Sequence, residues 1–152
     1  MSAGPLTPGA SSLQDAQGRL PLRWKAALTV EVMSTYVRAR RLMREQELPA
    51  VVEALRSVED AAAETRADEF LNWQIGERLG AVVARTLRPL PADTRCLMQS
   101  LVLTRMMARR GIPTTLIIGV RTEDGFSAHA WVERGGLPLL PPGSDYGRLV
   151  EL

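Results

Sequence analysis

Residues 93–132 read DTRCLMQSLVLTRMMARRGIPTTLIIGVRTEDGFSAHAWV, and they hold the only cysteine and the only histidine of the 152-residue chain. Asp93 or Thr94 suits an N-cap, and Cys96, Ser100, Leu103 and Met107 recur at three- and four-residue steps, with Leu97, Leu101, Thr104 and Ala108 widening the same face. The pattern predicts a largely buried helix with the thiol in its first turn. Unpaired N–H groups and the positive end of the helix dipole favour a thiolate there, and Arg95 adds a cation beside it. The Cys96 N–H at the helix start is also the simplest oxyanion donor. Arg105 and Arg109 are expected on the opposite, solvent-facing side, and Gly111 with Pro113 ends the helix.

A hairpin is predicted next. Residues 115–121 form an apolar, β-branched run, 122–125 (Thr-Glu-Asp-Gly) a turn, and 126–133 a second strand. Alternation puts Ser127, His129, Trp131 and Glu133 on one face and Phe126, Ala128, Ala130 and Val132 on the other. If the helix packs its first turn across the His129 face, an imidazole nitrogen reaches the sulfur. Such a base holds the thiolate as an ion pair and protonates a leaving amine. The competing readings are a buried apolar cysteine and a structural histidine.

The segments RCLMQSLVL (95–103), RRGIP (109–113), IGVR (118–121) and FSAHAWVE (126–133) together resemble the lasso-peptide B protein, the transglutaminase-like cysteine protease that removes the leader from a lasso precursor peptide. The resemblance is close over residues 95–133 and extends more weakly from about residue 22 to the C-terminus. It implies an α+β fold of the transglutaminase-like or papain-like kind, in which N-terminal helices and a Cys-bearing helix pack on a small antiparallel sheet. It further implies Cys96 as nucleophile and His129 as base, a lasso precursor as substrate, a stand-alone leader-recognition protein as partner, and an ATP-dependent cyclase acting next. An Asp on the strand after the histidine orients the ring in such proteases. Here that stretch reads Leu137-Pro138-Leu139-Leu140-Pro141-Pro142, without a carboxylate, and Asp145 is the nearest downstream candidate. A backbone carbonyl orienting the ring, or a dyad alone, are the alternatives. Glu133 lies four residues beyond His129, about 13 Å along a strand, too far for direct contact.

Composition bounds the reading. The length suits one domain with a real core, divided as a 1–19 tail and a 20–152 domain, with a helical layer at 20–90 and the catalytic helix and sheet at 93–152. Nineteen Lys and Arg against 17 Asp and Glu leave a net charge of +2, without the excess expected of a nucleic-acid binder. One cysteine excludes an internal disulfide and, with one histidine, makes a Cys/His zinc site improbable. No cofactor is expected. No apolar run approaches the roughly 20 residues of a membrane span, and the first residues lack the pattern of a secretion signal, so a cytoplasmic protein is expected.

From about Leu22 a long helix is predicted, with Leu22, Ala26, Val30, Met33 and Val37 in one stripe and Leu28 and Val32 on another side. Such a helix is buried on two sides, or one side meets a partner. Arg38, Arg40, Arg41 and Arg44 form a basic cluster at its end: a solvated helix terminus, a surface for an acidic segment of a leader or partner, or a nucleic-acid contact. With no room for a recognition module before the helices, the partner is expected to dock on residues 22–44, with Arg40 and Arg41 contributing. Pro49 opens a second helix carrying Val51, Val52, Leu55 and Val58. Residues 59–67 either extend it or link it to a third helix at about 68–86, whose expected stripe is Leu71, Ile75, Leu79 and Val82. The segment 88–91 turns the chain, and after the hairpin Gly135-Gly136 leads to a third strand at 137–140, with Pro138 favouring an edge position. A closing strand is expected within 146–152. Two other functions remain open: another transglutaminase-like acyl transferase or amidase, and a catalytically inactive interaction module of the same fold.

Overall fold

The computed structural model describes residues 21–58, 69–123 and 125–152, so the expected 1–19 tail, the 59–67 segment, the helix start at Asp68 and the turn residue Asp124 lie outside the described residues. The elements are α1 (Leu22–Glu45), α2 (Leu48–Arg56), α3 (Glu69–Thr86), α4 (Ala92–Ala108), β1 (Thr115–Arg121), β2 (Ser127–Arg134), β3 (Leu137–Pro138) and β4 (Gly147–Glu151). Among the described residues this is an α+β arrangement of four helices and one antiparallel sheet in the order β3-β2-β1-β4.

The helices form where periodicity places them, and packing decides which face each one buries. In α1 the buried residues are Val32, Thr35 and Ala39, whereas Leu22, Val30, Met33 and Val37 are exposed. The two apolar sides expected of this helix are thus one core side and one open side. Pro49 sits in the first turn of α2, where its missing N–H costs nothing, and Val51, Val52 and Leu55 are buried. Each contributes about 1.5–3 kcal/mol through the apolar surface it removes from water. The Arg56 guanidinium donates to the carbonyls of Thr114 and Leu152, 2.7 Å each, tying the end of α2 to the mouth of the sheet.

The structure bears out part of the expected face of α3, with Leu79 buried and Ile75 and Val82 packed against the core, and corrects the rest. Leu71 is exposed, and the buried residues are Asn72, Gly76, Leu79, Gly80 and Val83. A Cβ at Gly76 would stand 2.7 Å from a methyl of Leu139, and one at Gly80 would overlap the Leu139 carbonyl oxygen. Two glycines one turn apart therefore let the chain segment after β3 lie directly on the helix. Apolar periodicity misses such a face because close approach, and not side-chain volume, defines it. Gly80→Ala gains about 1 kcal/mol of helix propensity but forces a methyl against backbone, which costs about 1–3 kcal/mol. Thermal denaturation is expected to show a net loss of a few degrees in Tm, at about 2–4 °C per kcal/mol for a chain of this size. An unchanged or raised Tm would mean that the Leu139 segment yields freely.

α4 is the hub, lying against α1, α2, α3 and β2. Ser100, Leu101, Val102, Leu103, Thr104, Met106 and Met107 are all fully buried, which covers its whole circumference. Thr104 donates its hydroxyl to the Ser100 carbonyl at 2.9 Å and so tolerates burial. Arg105 is not on a free outer face as expected: it is only partly exposed, and its Nη1 is buried without a hydrogen-bond partner among the described residues. The helix closes through Gly111, at φ 68°, with the Ile112 N–H donating to the Met107 carbonyl at 3.1 Å.

The hairpin has the expected alternation, with Gly119 opposite His129 and Ile117 opposite Trp131. β3 holds only two residues at the edge, beside β2, and is shorter than the expected 137–140. Pro138 cannot extend the ladder. Leu139 donates its N–H to the Val132 carbonyl at 2.8 Å, and Leu139 and Leu140 then turn their side chains into the core. β4 returns on the far side of β1, with a register shift between Ile118 and Gly119 and reciprocal Leu116–Leu152 bonds of 2.8 and 2.9 Å.

Candidate active site

Cys96 is half-buried on α4, and His129 stands on β2, the strand that α4 packs against. The helix begins at Ala92, with Pro91 in the N-cap place and no side-chain cap, so the Asp93 or Thr94 cap is not realised. Cys96 therefore follows four helical residues and lies just past the first turn. At that position its own N–H falls inside the i→i−4 ladder and is not one of the free terminal donors. The expected oxyanion role of that N–H is corrected accordingly, and the dipole, which acts mainly within the first turn, reaches the sulfur more weakly. Arg95 turns away from solvent to donate Nε and Nη2 to the Leu90 carbonyl, at 2.9 and 2.6 Å. It pins the 88–91 turn to the helix start. Gln99, one turn beyond Cys96, donates to the Ala84 carbonyl of α3 at 3.4 Å. The thiol itself makes no hydrogen bond among the described residues.

His129 is held on three sides. Its Nε2 is 2.9 Å from the Pro141 carbonyl oxygen. A carbonyl only accepts, so Nε2 carries the proton and Nδ1 is left as the basic nitrogen. The ring stacks on Trp131, with centroids 6.1 Å apart and planes at 22°, and meets Tyr146 at 5.2 Å. Trp131 is fixed in turn. Its indole N–H donates to Glu133 Oε1 at 2.8 Å, and Arg148 of β4 donates to the other carboxylate oxygen at 2.8 Å. Glu133, above all through that bond, raises the Arg148 guanidinium above its ordinary value. Glu133 thus acts two steps from the imidazole, consistent with its being too far along the strand to touch it. Tyr146 pairs its hydroxyl with Ser127 at 3.1 Å and carries the Arg121 guanidinium 5.2 Å over its ring.

Two glycines clear the space for these rings. A Cβ at Gly119 would lie 2.8 Å from the Trp131 ring, and one at Gly143, where φ is 71°, would lie 2.9 Å from Tyr146 and 3.5 Å from His129. Asp145 is exposed, at φ 66°, and makes no hydrogen bond to His129 among the described residues. The polar partner of the ring is the Pro141 carbonyl. Trp131 was readable as a neighbour, two residues from His129 on the same face. Pro141 and Tyr146 were not, because neither belongs to a regular element whose period would aim it. Among the described residues no group of three His, Cys, Asp or Glu is placed to hold a metal ion, and no helix is long and apolar enough to cross a membrane.

A cysteine on a helix that packs against the strand carrying a histidine is an arrangement compatible with acyl-transfer chemistry. The family described as the Transglutaminase-like superfamily matches residues 20–150, and the chain belongs to it. Its members are generally cysteine-protease-like enzymes, with protease or acyltransferase activity. No match was found among curated proteins or among solved structures.

Proposed function

We propose that the protein is a cysteine endopeptidase that removes the leader from a ribosomally made lasso-peptide precursor, working in the cytoplasm with a separate leader-recognition protein and ahead of an ATP-dependent cyclase. The observation that carries the chemistry is the 2.9 Å contact from His129 Nε2 to the Pro141 carbonyl. It selects the tautomer in which Nδ1 is free to take a thiol proton. In the reaction the Cys96 sulfur attacks the carbonyl of the leader–core peptide bond, and the Cys96 proton resides on Nδ1. As the tetrahedral intermediate collapses, the C–N bond breaks and Nδ1 returns the proton to the leaving amine. Water, deprotonated by the same nitrogen, then hydrolyses the thioester. Cys96 and His129 act as a dyad, with the Pro141 carbonyl in the orienting role first expected of Asp145. The lasso assignment rests on the 95–133 motifs, and the protease assignment on the superfamily and the dyad.

The test is to incubate the protein with the precursor peptide encoded beside its gene, with and without the neighbouring recognition protein, and to read products by mass spectrometry. Cleavage at one peptide bond is expected, strongly accelerated by the recognition protein, because tethering the leader raises its local concentration toward the millimolar range. A product carrying an added amine in place of water would assign the protein to acyl transfer. No covalent change to the peptide, with Cys96 inert to iodoacetamide near neutral pH, would assign it to the non-catalytic modules of this fold.

A further inference from the structure

α1 and α4 enclose a cleft of about 590 Å³ whose lining includes Arg38, Arg41, Arg105 and Arg109 but only one acidic residue, Glu45. Little of that positive charge is neutralised. Arg41 meets Glu45 at 3.2 Å with both side chains largely exposed, a geometry worth little in water. Arg109 reaches Glu31 only at 3.8 Å, because Arg110 holds that carboxylate through two bonds of 2.9 Å. Arg38 has no partner among the described residues, and the buried Arg105 Nη1 has none either. Burial, followed by repulsion from Arg38 and Arg109, lowers the Arg105 guanidinium below its ordinary value. Four guanidinium groups around one cleft, offset among the described residues only by the surface Glu45 and the shared Glu31, repel one another, and the open, unpaired fork of Arg38 matches a carboxylate.

The approach to the cleft has a different chemistry. Val30, Met33 and Val37 stand exposed by 66, 43 and 62 % along α1, at three- and four-residue steps, and Val37 also lines the cleft. An apolar ridge that runs into a cationic pocket fits neither free phosphate nor a polynucleotide, whose even charge calls for cations along the whole track. It fits a peptide that alternates apolar and acidic residues.

We propose that the α1–α4 cleft binds an acidic peptide segment of another protein, whose carboxylates pair with Arg38, Arg41 and Arg105 while its apolar side chains cover Val30, Met33 and Val37. Arg40 is not part of this site, since its Nη1 donates to the Tyr36 hydroxyl at 3.0 Å outside the cleft lining. The lining contains neither Cys96 nor His129, so the site stands or falls separately from the protease reading.

The test uses a fluorescein-labelled peptide of repeating Leu-Glu-Glu-Leu and its Glu→Gln counterpart, titrated against the intact chain by fluorescence anisotropy. Binding of the acidic peptide is expected, weakened about tenfold or more by Arg38→Glu, by Val37→Ser and by Glu→Gln in the peptide, and weakened by salt. Arg38 and Val37 are exposed, so both variants should keep the parent Tm and the parent rate of Cys96 alkylation. Equal binding of the two peptides, unchanged affinity in Arg38→Glu, or displacement of the peptide by a single-stranded oligonucleotide or inorganic phosphate at lower concentration would each overturn the proposal.

Discussion

Cys96→Ala is expected to remove leader cleavage, with a fall in kcat/KM of about 10⁴-fold or more, while the protein stays folded. Loss of the nucleophile forces reaction by direct water attack, and binding plus residual electrostatics recover only part of a catalytic group's contribution. The fold is expected to persist because the change deletes one half-buried sulfur on a helix whose neighbours Ser100, Leu101, Leu103 and Met107 are already fully buried. The vacated volume is far below that of a Leu→Ala truncation, and alanine is the best helix former. The measurement is precursor cleavage by mass spectrometry beside a thermal melt. Substantial cleavage by Cys96→Ala at unchanged Tm would end the protease assignment.

His129→Ala should be nearly as severe, and comparison with Asp145→Asn separates base from bystander. In the proposed mechanism the imidazole accepts the thiol proton and returns it to the leaving amine, and general acid–base catalysis of this kind contributes about 10²–10⁴-fold. Alkylation of Cys96 by iodoacetamide should also slow in His129→Ala, a readout that does not depend on substrate binding. Asp145→Asn, in contrast, alters an exposed side chain with no bond to the ring, and the Nε2–Pro141 contact survives it. Its cleavage rate is expected within about threefold of the parent, since surface substitutions away from a site have small effects. A loss in Asp145→Asn approaching that of His129→Ala would show that the carboxylate, and not the Pro141 carbonyl, orients the base.

The helices and strands were legible where one side of an element meets the core and the other meets water, so that residue chemistry alternates with the backbone period. The extents of α1 and β1, the start of α2, the pairing of His129 opposite β1, the edge position of Pro138 and the return of β4 all follow from such local patterns, whereas α2 stops at Arg56, short of the Val58 expected on its stripe. The glycine part of the α3 face did not follow from such patterns, because Gly76 and Gly80 are buried by what lies on them. Arg105 was misread for a related reason: a charge on an amphipathic helix ordinarily points to solvent, and only the approach of α1 covers it.

For the proposed site, Cys96 and His129 are the candidates the sequence itself offers, since one chain with a single thiol and a single imidazole holds no rival pair, and helix and strand periods place each residue on its element. The sequence also sufficed to show that the strand after the histidine carries no carboxylate. What holds the imidazole was decided by tertiary structure alone. The Pro141 carbonyl is a main-chain atom that every residue possesses, so no side-chain pattern can announce it, and it reaches Nε2 only because Leu139 and Leu140 are seated on the two glycines of α3. The same holds for the guanidinium cleft, whose arginines at 38 and 41 stand more than 60 residues of chain from those at 105 and 109 and meet only when α1 packs on α4.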